Sequence, residues 1–358
     1  MTVPAEPSTQ AADRRASSAS EPDAPAARRA DGASPAKIPD FFVIGHEKCG
    51  TTALYRILRS HPQIYMPELK EPRYLLRERD ADPATAQAAT LPRTLDDYLG
   101  LFVEARPEQV AGEASPQYIR SPVAARRIAE LRPDARVIAI LREPVSFLRS
   151  FHLACLRSGI ENERDLGRAL DLEERRRRGE SIPPGCPAPD RLLYSEHVRY
   201  VEQLRRFEEG LSREQLHVII YEDLRRDNER VARGALRFLG VDETMPIEIS
   251  NSTGQHRKAV RNVRLMRLAI AIKRARRRPD GAPAVVRALS RITTPRVEAL
   301  AKRALYAPPR QVDDELVREL RRRLQPEVAA LGEYLRRDML GEWGYDAVPG
   351  SEARSGLR

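Results

Sequence analysis

Phe41-Phe42-Val43-Ile44-Gly45-His46-Glu47-Lys48-Cys49-Gly50-Thr51-Thr52-Ala53-Leu54 decides how this chain reads. The apolar run Phe41 to Ile44 has the pattern of a buried parallel strand. It breaks at Gly45, turns through Lys48-Cys49-Gly50 and opens a helix at Thr51-Thr52. Backbone N–H groups at such a turn, with the helix dipole behind them, form an anion site. Gly45 and Gly50 have the G-x4-G spacing of a Walker A loop, but Thr51 stands where its lysine belongs. The lysine comes earlier, at Lys48. Such a loop predicts a phosphate ligand bound without the usual γ-phosphate and magnesium arrangement. The bland alternative is an ordinary glycine-rich βα turn; strand, Lys, Gly, Thr-Thr and helix in one run favour the phosphate loop.

From Ile44-Gly45 to His61-Pro62 the chain resembles the 5′-phosphosulfate loop of sulfotransferases that use 3′-phosphoadenosine 5′-phosphosulfate (PAPS). It is most similar to the branch with a Lys-Cys-Gly-Thr-Thr loop, which includes bacterial enzymes and resembles the heparan-type carbohydrate sulfotransferases. The resemblance spans roughly residues 38 to 346. It implies an α/β fold: a P-loop-like central parallel sheet flanked by helices, with a helical C-terminal part, in a single domain 38–346. Residues 1–37 are rich in Ala, Ser, Pro, Asp and Arg and nearly lack large apolar groups. They read as a disordered tail, because they bury too little to offset chain entropy. Residues 347–358 read likewise.

The 358 residues, 41% of them hydrophobic, suffice for one large α/β domain, with two small ones as the alternative. A net charge of +10 favours anionic partners. Aromatics, at 5%, are too few for a base-stacking platform, so no nucleic-acid partner is expected. Cys49, Cys155 and Cys186 form no C-x-x-C pair, which predicts neither a disulfide framework nor a zinc site. No apolar run approaches the ~18 to 20 residues of a membrane span, and the N-terminus has no signal-peptide core. A soluble, cytoplasmic protein is the expectation.

Strands are predicted over 41–44, 109–112, 135–141 and 216–221. Helices are predicted over 51–60, 122–131, 145–157, 192–210, 228–239 and 316–335. This alternation is that of a mostly parallel sheet. Residues 160–190, Arg/Glu-rich and then Pro-rich, read as an excursion from the core, a lid or acceptor-binding insert. The single Trp343 should anchor the last helix.

Sulfuryl transfer needs a held donor, stabilisation of charge on the leaving phosphate, and a base for the acceptor proton. The resemblance puts Lys48 against the oxygen bridging sulfate and 5′-phosphate, with Cys49, Gly50, Thr51 and Thr52 cradling that phosphate. Arg142, at the end of an apolar strand in Leu141-Arg142-Glu143-Pro144, and Ser150 beyond it resemble the family's 3′-phosphate motif. The family often has an aromatic after a Ser-His at this point; here the order is Ser150-Phe151-His152. Glu113 in Gly112-Glu113-Ala114-Ser115-Pro116-Gln117-Tyr118 matches the family's general base, and His46 in the donor loop is the rival. A Glu that merely orients the loop or pairs with Lys48 is the alternative. Lys70 and Glu71 in Lys-Glu-Pro resemble a stretch that meets the transferring sulfate or the acceptor; a solvated pair is the alternative. Tyr221-Glu222-Asp223-Leu224 reads as an acidic helix start rather than a metal site.

Residues 257–278 hold ten Lys/Arg and no acid, interleaved with Val260, Val263, Leu265, Met266, Leu268, Ile270 and Ile272. This predicts a basic amphipathic helix. The resemblance makes Arg257 and Lys258 contacts for the 3′-phosphoadenosine end, and the remainder offers a face for an anionic acceptor or a membrane surface, or is simply solvated. The function expected is metal-independent transfer of a sulfuryl group from PAPS to a hydroxyl or amine of a glycan, glycolipid or small metabolite. Its rivals are a degenerate P-loop kinase using ATP and magnesium, and a non-catalytic polyanion-binding module.

Overall fold

A computed structural model describes residues 37–76, 91–184, 186–248, 259–277, 285–286, 303–307 and 314–346, except the side chains of residues 259, 274, 276 and 277. They belong to one compact unit, Ala36–Arg358. Arg257, Lys258 and nearly all of both expected tails lie outside the described residues.

Five strands form one all-parallel sheet: β1 (Phe41–Gly45), β2 (Ile64–Tyr65), β3 (Val110–Ala114), β4 (Arg136–Leu141) and β5 (Leu216–Ile220). Their spatial order is β2-β3-β1-β4-β5. Every residue of β1 is buried, as a strand covered on both faces requires. The chain runs outward from β1 to β2, returns to β3, then crosses β1 to β4. The order therefore reverses around β1, and the C-terminal end of β1 is the switch point at which such sheets bind ligands.

Helix α1 (Thr51–Ser60) follows β1, with the bounds its sequence predicts. Short α2 (Leu95–Leu99) lies before β3, and α3 (Ala124–Leu131) leads to β4. Helix α4 (Pro144–Ser158) leaves β4, starting on Glu143, whose carboxylate accepts from the N–H groups of Val145 and Ser146. After β5 come α8 (Tyr221–Arg226) and α9 (Asn228–Leu239). Glu222 and Asp223 occupy the first turn of α8, where negative charge suits the helix dipole.

The 160–190 stretch differs from its reading as an excursion. It contains α5 (Leu166–Asp171) and α6 (Glu173–Arg177), and Leu166, Ala169 and Leu170 join the main core. A fully buried ion pair pins it: Arg176 Nη2 meets Glu161 Oε1 at 2.9 Å, both side chains having 0% exposure. Tyr194 donates to the other Glu161 oxygen at 2.9 Å. His152, whose role the motif left open, bonds the Glu163 carbonyl through Nε2 at 2.8 Å and so fastens this stretch to α4. The helix predicted over 192–210 is broken into tight turns over Pro189–Leu192 and Tyr194–Val198, and only α7 (Tyr200–Glu208) is α-helical. The buried Tyr194, His197 and Val198 set this path more strongly than helical periodicity does.

The basic segment forms α10 (Val263–Arg277), preceded by β6 (Ala259–Val260), which pairs antiparallel with β7 (Tyr306–Ala307). Val260 and Met266 bury against Leu156 of α4. The last elements are α11 (Asp314–Leu335) and α12 (Met339–Trp343). Trp343 lies in the core, as expected of an anchor. Among the described residues no helix is long and apolar enough to cross a membrane.

Candidate active site

Gly45 ends β1 at φ 139°, and a Cβ there would lie 2.5 Å from the Ile140 carbonyl oxygen. Only glycine lets the chain leave the sheet this close to β4. Gly50 is the N-cap of α1 at φ 90°, and has no side chain to cap it. The first N–H groups of a helix have no intrahelical acceptor. No acidic residue occupies the first turn of α1 to supply one. This helix start is built to receive an anion.

Lys48 sits between the two glycines in the left-handed region, at φ 74°. For a residue with a Cβ this costs about 1–3 kcal/mol. Its ammonium forms no ion pair with a described side chain. Burial lowers its pKa, and the nearby Arg157 and Arg142 guanidiniums add to that while Glu47 opposes it. Arg142, at the end of β4, donates from Nη1 to the Lys48 carbonyl at 3.1 Å and lies 4.7 Å from the centre of the Tyr221 ring. Its buried Nε has no partner. Ser150 is partly buried on α4, six residues after the helix's first residue, Pro144. Cys49 is fully buried and burial pushes its thiol up to about 12, so its contribution is backbone.

Glu113 differs from its reading as a residue just past a strand. Strand β3 continues to Ala114 because pairing with β1 continues, Phe42 opposite Glu113 and Val43 opposite Ala114. Its side chain is fully buried. Tyr98 and Tyr118 donate to Oε1 at 2.7 and 2.8 Å, and Ser115 donates to Oε2 at 2.7 Å. Burial raises its pKa to about 7, although these three hydroxyls favour the charged form. It does not pair with Lys48.

His46 is also enclosed. Its Nε2 meets Gln203 Oε1 at 2.8 Å, and the rings of Phe147, His197 and Tyr200 surround it. Burial, reinforced by Arg120, lowers its pKa to about 3. Lys70 pairs with Glu71 at 2.8 Å, and Arg73 pairs with the other Glu71 oxygen. Burial pushes the Glu71 carboxyl up, but Lys70 and Arg73 outweigh it and hold it at about 2.

Two groups were missed from sequence. Arg157, in the last turn of α4, adds a third cation to the field at Lys48. Glu47 is gripped from far along the chain. Arg191 donates to both its oxygens, at 2.7 and 2.5 Å, and Gln117 Nε2 donates to Oε1 at 2.9 Å. Gln117 also donates to Glu71, at 3.2 Å. Partners 70 and 144 residues away leave no local pattern to read.

Among the described residues no group of three His, Cys, Asp or Glu could hold a metal ion. An uncapped helix start, an unpaired lysine and a guanidinium with an orphaned Nε fit a phosphorylated nucleotide donor.

The sulfotransferase domain family matches residues 38–277. Human heparan sulfate glucosamine 3-O-sulfotransferase 6 is 32% identical over 130 residues, 36% of this chain and 34% of that one. Human carbohydrate sulfotransferase 15 is 29% identical over 155 residues, 32% of this chain and 27% of that one. The matches thus span about a third or less of these relatives' length. The crystal structure of a sulfotransferase from Alicyclobacillus acidocaldarius superposes with a TM-score of 0.57 at 26% identity, covering 86% of this chain and 98% of that one.

Proposed function

Since the chain belongs to the sulfotransferase domain family, we propose that it moves a sulfuryl group from PAPS to an acceptor hydroxyl by in-line displacement. The observation that carries this reading is the strained, unpaired Lys48 beside the uncapped start of α1. The N–H groups of Gly50, Thr51 and Thr52 and the threonine hydroxyls hold the 5′-phosphate. Lys48 donates to the oxygen bridging sulfate and phosphate, where charge develops as the S–O bond breaks. Arg142 and Ser150 bind the 3′-phosphate, joined by Arg257 and Lys258 from the segment leading to β6.

Glu113 is assigned the acceptor proton. A carboxyl whose pKa stands near 7 suits a base working at neutral pH. Oε1 is saturated by two tyrosines, whereas Oε2 has only Ser115, so Oε2 is the oxygen an acceptor hydroxyl reaches by displacing that contact. His46 is assigned to packing: a buried imidazole held by Gln203, with a pKa of about 3, is a poor base at neutral pH. The acceptor class is a carbohydrate or a small hydroxylated metabolite. Lys70 and Glu71 flank it from the loop after β2.

The finer partner is an anionic membrane surface. Leu265 and Leu268 are exposed on α10, as are Arg264 and Lys273. Sedimentation with vesicles containing acidic lipid tests this contact, and salt-insensitive absence of binding rejects it.

The donor reading is tested by calorimetric titration with adenosine 3′,5′-bisphosphate and, separately, ATP plus magnesium, in wild type, Lys48→Ala and Arg142→Ala. Selective binding of the bisphosphate, weakened in both variants, is expected. A preference for ATP and magnesium would return the kinase alternative. Salt-sensitive polyanion binding indifferent to Lys48 would return the binding module.

A further inference from the structure

A carboxylate next to a lysine that must meet an incoming anion is a competitor for that anion. Glu47 immediately precedes Lys48, yet the two form no ion pair. Both Glu47 oxygens are already occupied, by the fork of Arg191 and by Gln117. Arg191 is itself held in place. It belongs to the turn Pro189–Leu192 and its guanidinium lies 5.2 Å from the centre of the Phe151 ring. The next residue, Leu192, gives its carbonyl to Arg176 Nη1 at 3.3 Å, and Arg176 is the buried partner of Glu161.

We propose that Arg191 and Glu47 are a positioning pair for the donor loop: Arg191 withdraws the Glu47 carboxylate from Lys48, so that the lysine's left-handed backbone presents a free ammonium to the donor. The inference rests on the donor reading above and deepens it. It places the control of Lys48 in the turn Pro189–Leu192, which Arg176 ties to the packed 160–190 stretch. The pair acts from both sides of the strained residue together with Arg142. One guanidinium holds the side chain of the preceding residue, and the other holds the carbonyl of Lys48 itself. Gln117 completes the arrangement. Its amide nitrogen must face the two carboxylates of Glu47 and Glu71, which leaves its buried Oε1 without a partner. A polar group in that state is retained where the orientation of its neighbours matters more than its own satisfaction.

The test reads Lys48 directly. Competitive amine labelling followed by mass spectrometry gives the pH midpoint at which Lys48 becomes reactive, a midpoint set first by burial and then by Arg157, Glu47, Arg142 and Cys49. In Arg191→Gln the released Glu47 turns to Lys48. The midpoint is expected to rise by about one pH unit, and affinity for adenosine 3′,5′-bisphosphate to fall about tenfold. Glu47→Gln/Arg191→Gln removes the competitor, and should restore the midpoint and most of the affinity. A purely structural Arg191 would leave the double variant no better than the single. Should Arg191→Gln fail to fold, Arg191→Lys keeps the charge and loses the fork, and is expected to give an intermediate rise. Glu47→Gln alone should give no rise. A folded Arg191→Gln protein with unchanged midpoint, or a double variant without recovery, overturns the proposal. Failure of the wild type to bind the bisphosphate would overturn the donor reading instead, and the labelling midpoints would still report on the pair.

Discussion

The Nη1 of Arg142 donates to the carbonyl oxygen of Lys48 at 3.1 Å, so these two cations are joined through backbone rather than through a shared counter-ion. On the donor reading, Arg142→Ala therefore removes a ligand contact together with the loop contact. Affinity for adenosine 3′,5′-bisphosphate should fall by about 1.5–3 kcal/mol, the range for a charged hydrogen bond. Arg142→Lys should recover little, because a lysine cannot span both positions. Calorimetric titration of the two variants decides this.

In the proposed mechanism Glu113 is the base, and a carboxyl takes up a proton only when it is ionised. With its carboxyl pushed up to about 7 by burial, turnover should rise with pH through that value and then level off. Glu113→Gln should bind the bisphosphate normally and lose turnover. Single-turnover conversion of PAPS, followed across the same pH range, measures both. Near-normal turnover in Glu113→Gln would reject the assignment.

Stability should show two opposed slopes. Glu113 titrates at about 7 in the folded chain against 4.5 for an ordinary glutamate carboxyl, so between these pH values the folded state holds the extra proton. Stability falls there as pH rises. His46 stands at about 3 against 6.5, so between those values the unfolded state holds the extra proton and stability rises with pH. Between about pH 4.5 and 6.5 the two oppose each other. Glu113→Gln should uncover the rising slope as an increase in Tm over that interval, steeper than in wild type. Parallel melting curves for the two proteins would contradict this.

Arg176→Ala should destabilise the protein by about 3–5 kcal/mol, because it leaves Glu161 charged and buried without its partner. Denaturant unfolding gives the figure. Exposed pairs such as Arg126 with Glu130 should cost under about 1 kcal/mol when broken.

The stretch Phe41 to Leu54 was legible because strand, turn and helix start are all encoded by near neighbours. The bounds of α1 and α9 follow from their own apolar spacing and flanking residues. Strand β2 was not legible: two residues carry no periodicity. The helix read over 192–210 was overextended, since Tyr194 and Val198 have helical spacing but bury themselves from tight turns. At the site, Arg142 is marked by the end of β4 and Lys48 by the loop after β1, whereas Glu113, read as a strand-end residue, lies within β3. What surrounds them is not marked. The hydroxyl on Glu113 Oε1 comes in part from Tyr98, fifteen residues away, and the fork on Glu47 from Arg191, 144 residues away. Those contacts come from α2 and from the turn Pro189–Leu192, elements that only the assembled fold brings to β3 and to the loop after β1.

The bare start of α1 has a consequence beyond chemistry. A helix whose first donors have no cap leaves part of its stabilisation to be supplied by whatever anion arrives. A nucleotide that binds only the folded chain at a hundred times its Kd adds about 2.7 kcal/mol to that chain's stability. Partial opening, and with it cleavage by proteases, then becomes rarer by about a hundredfold. On the donor reading, the lifetime of this protein would follow its nucleotide supply, since molecules left empty open more often than filled ones.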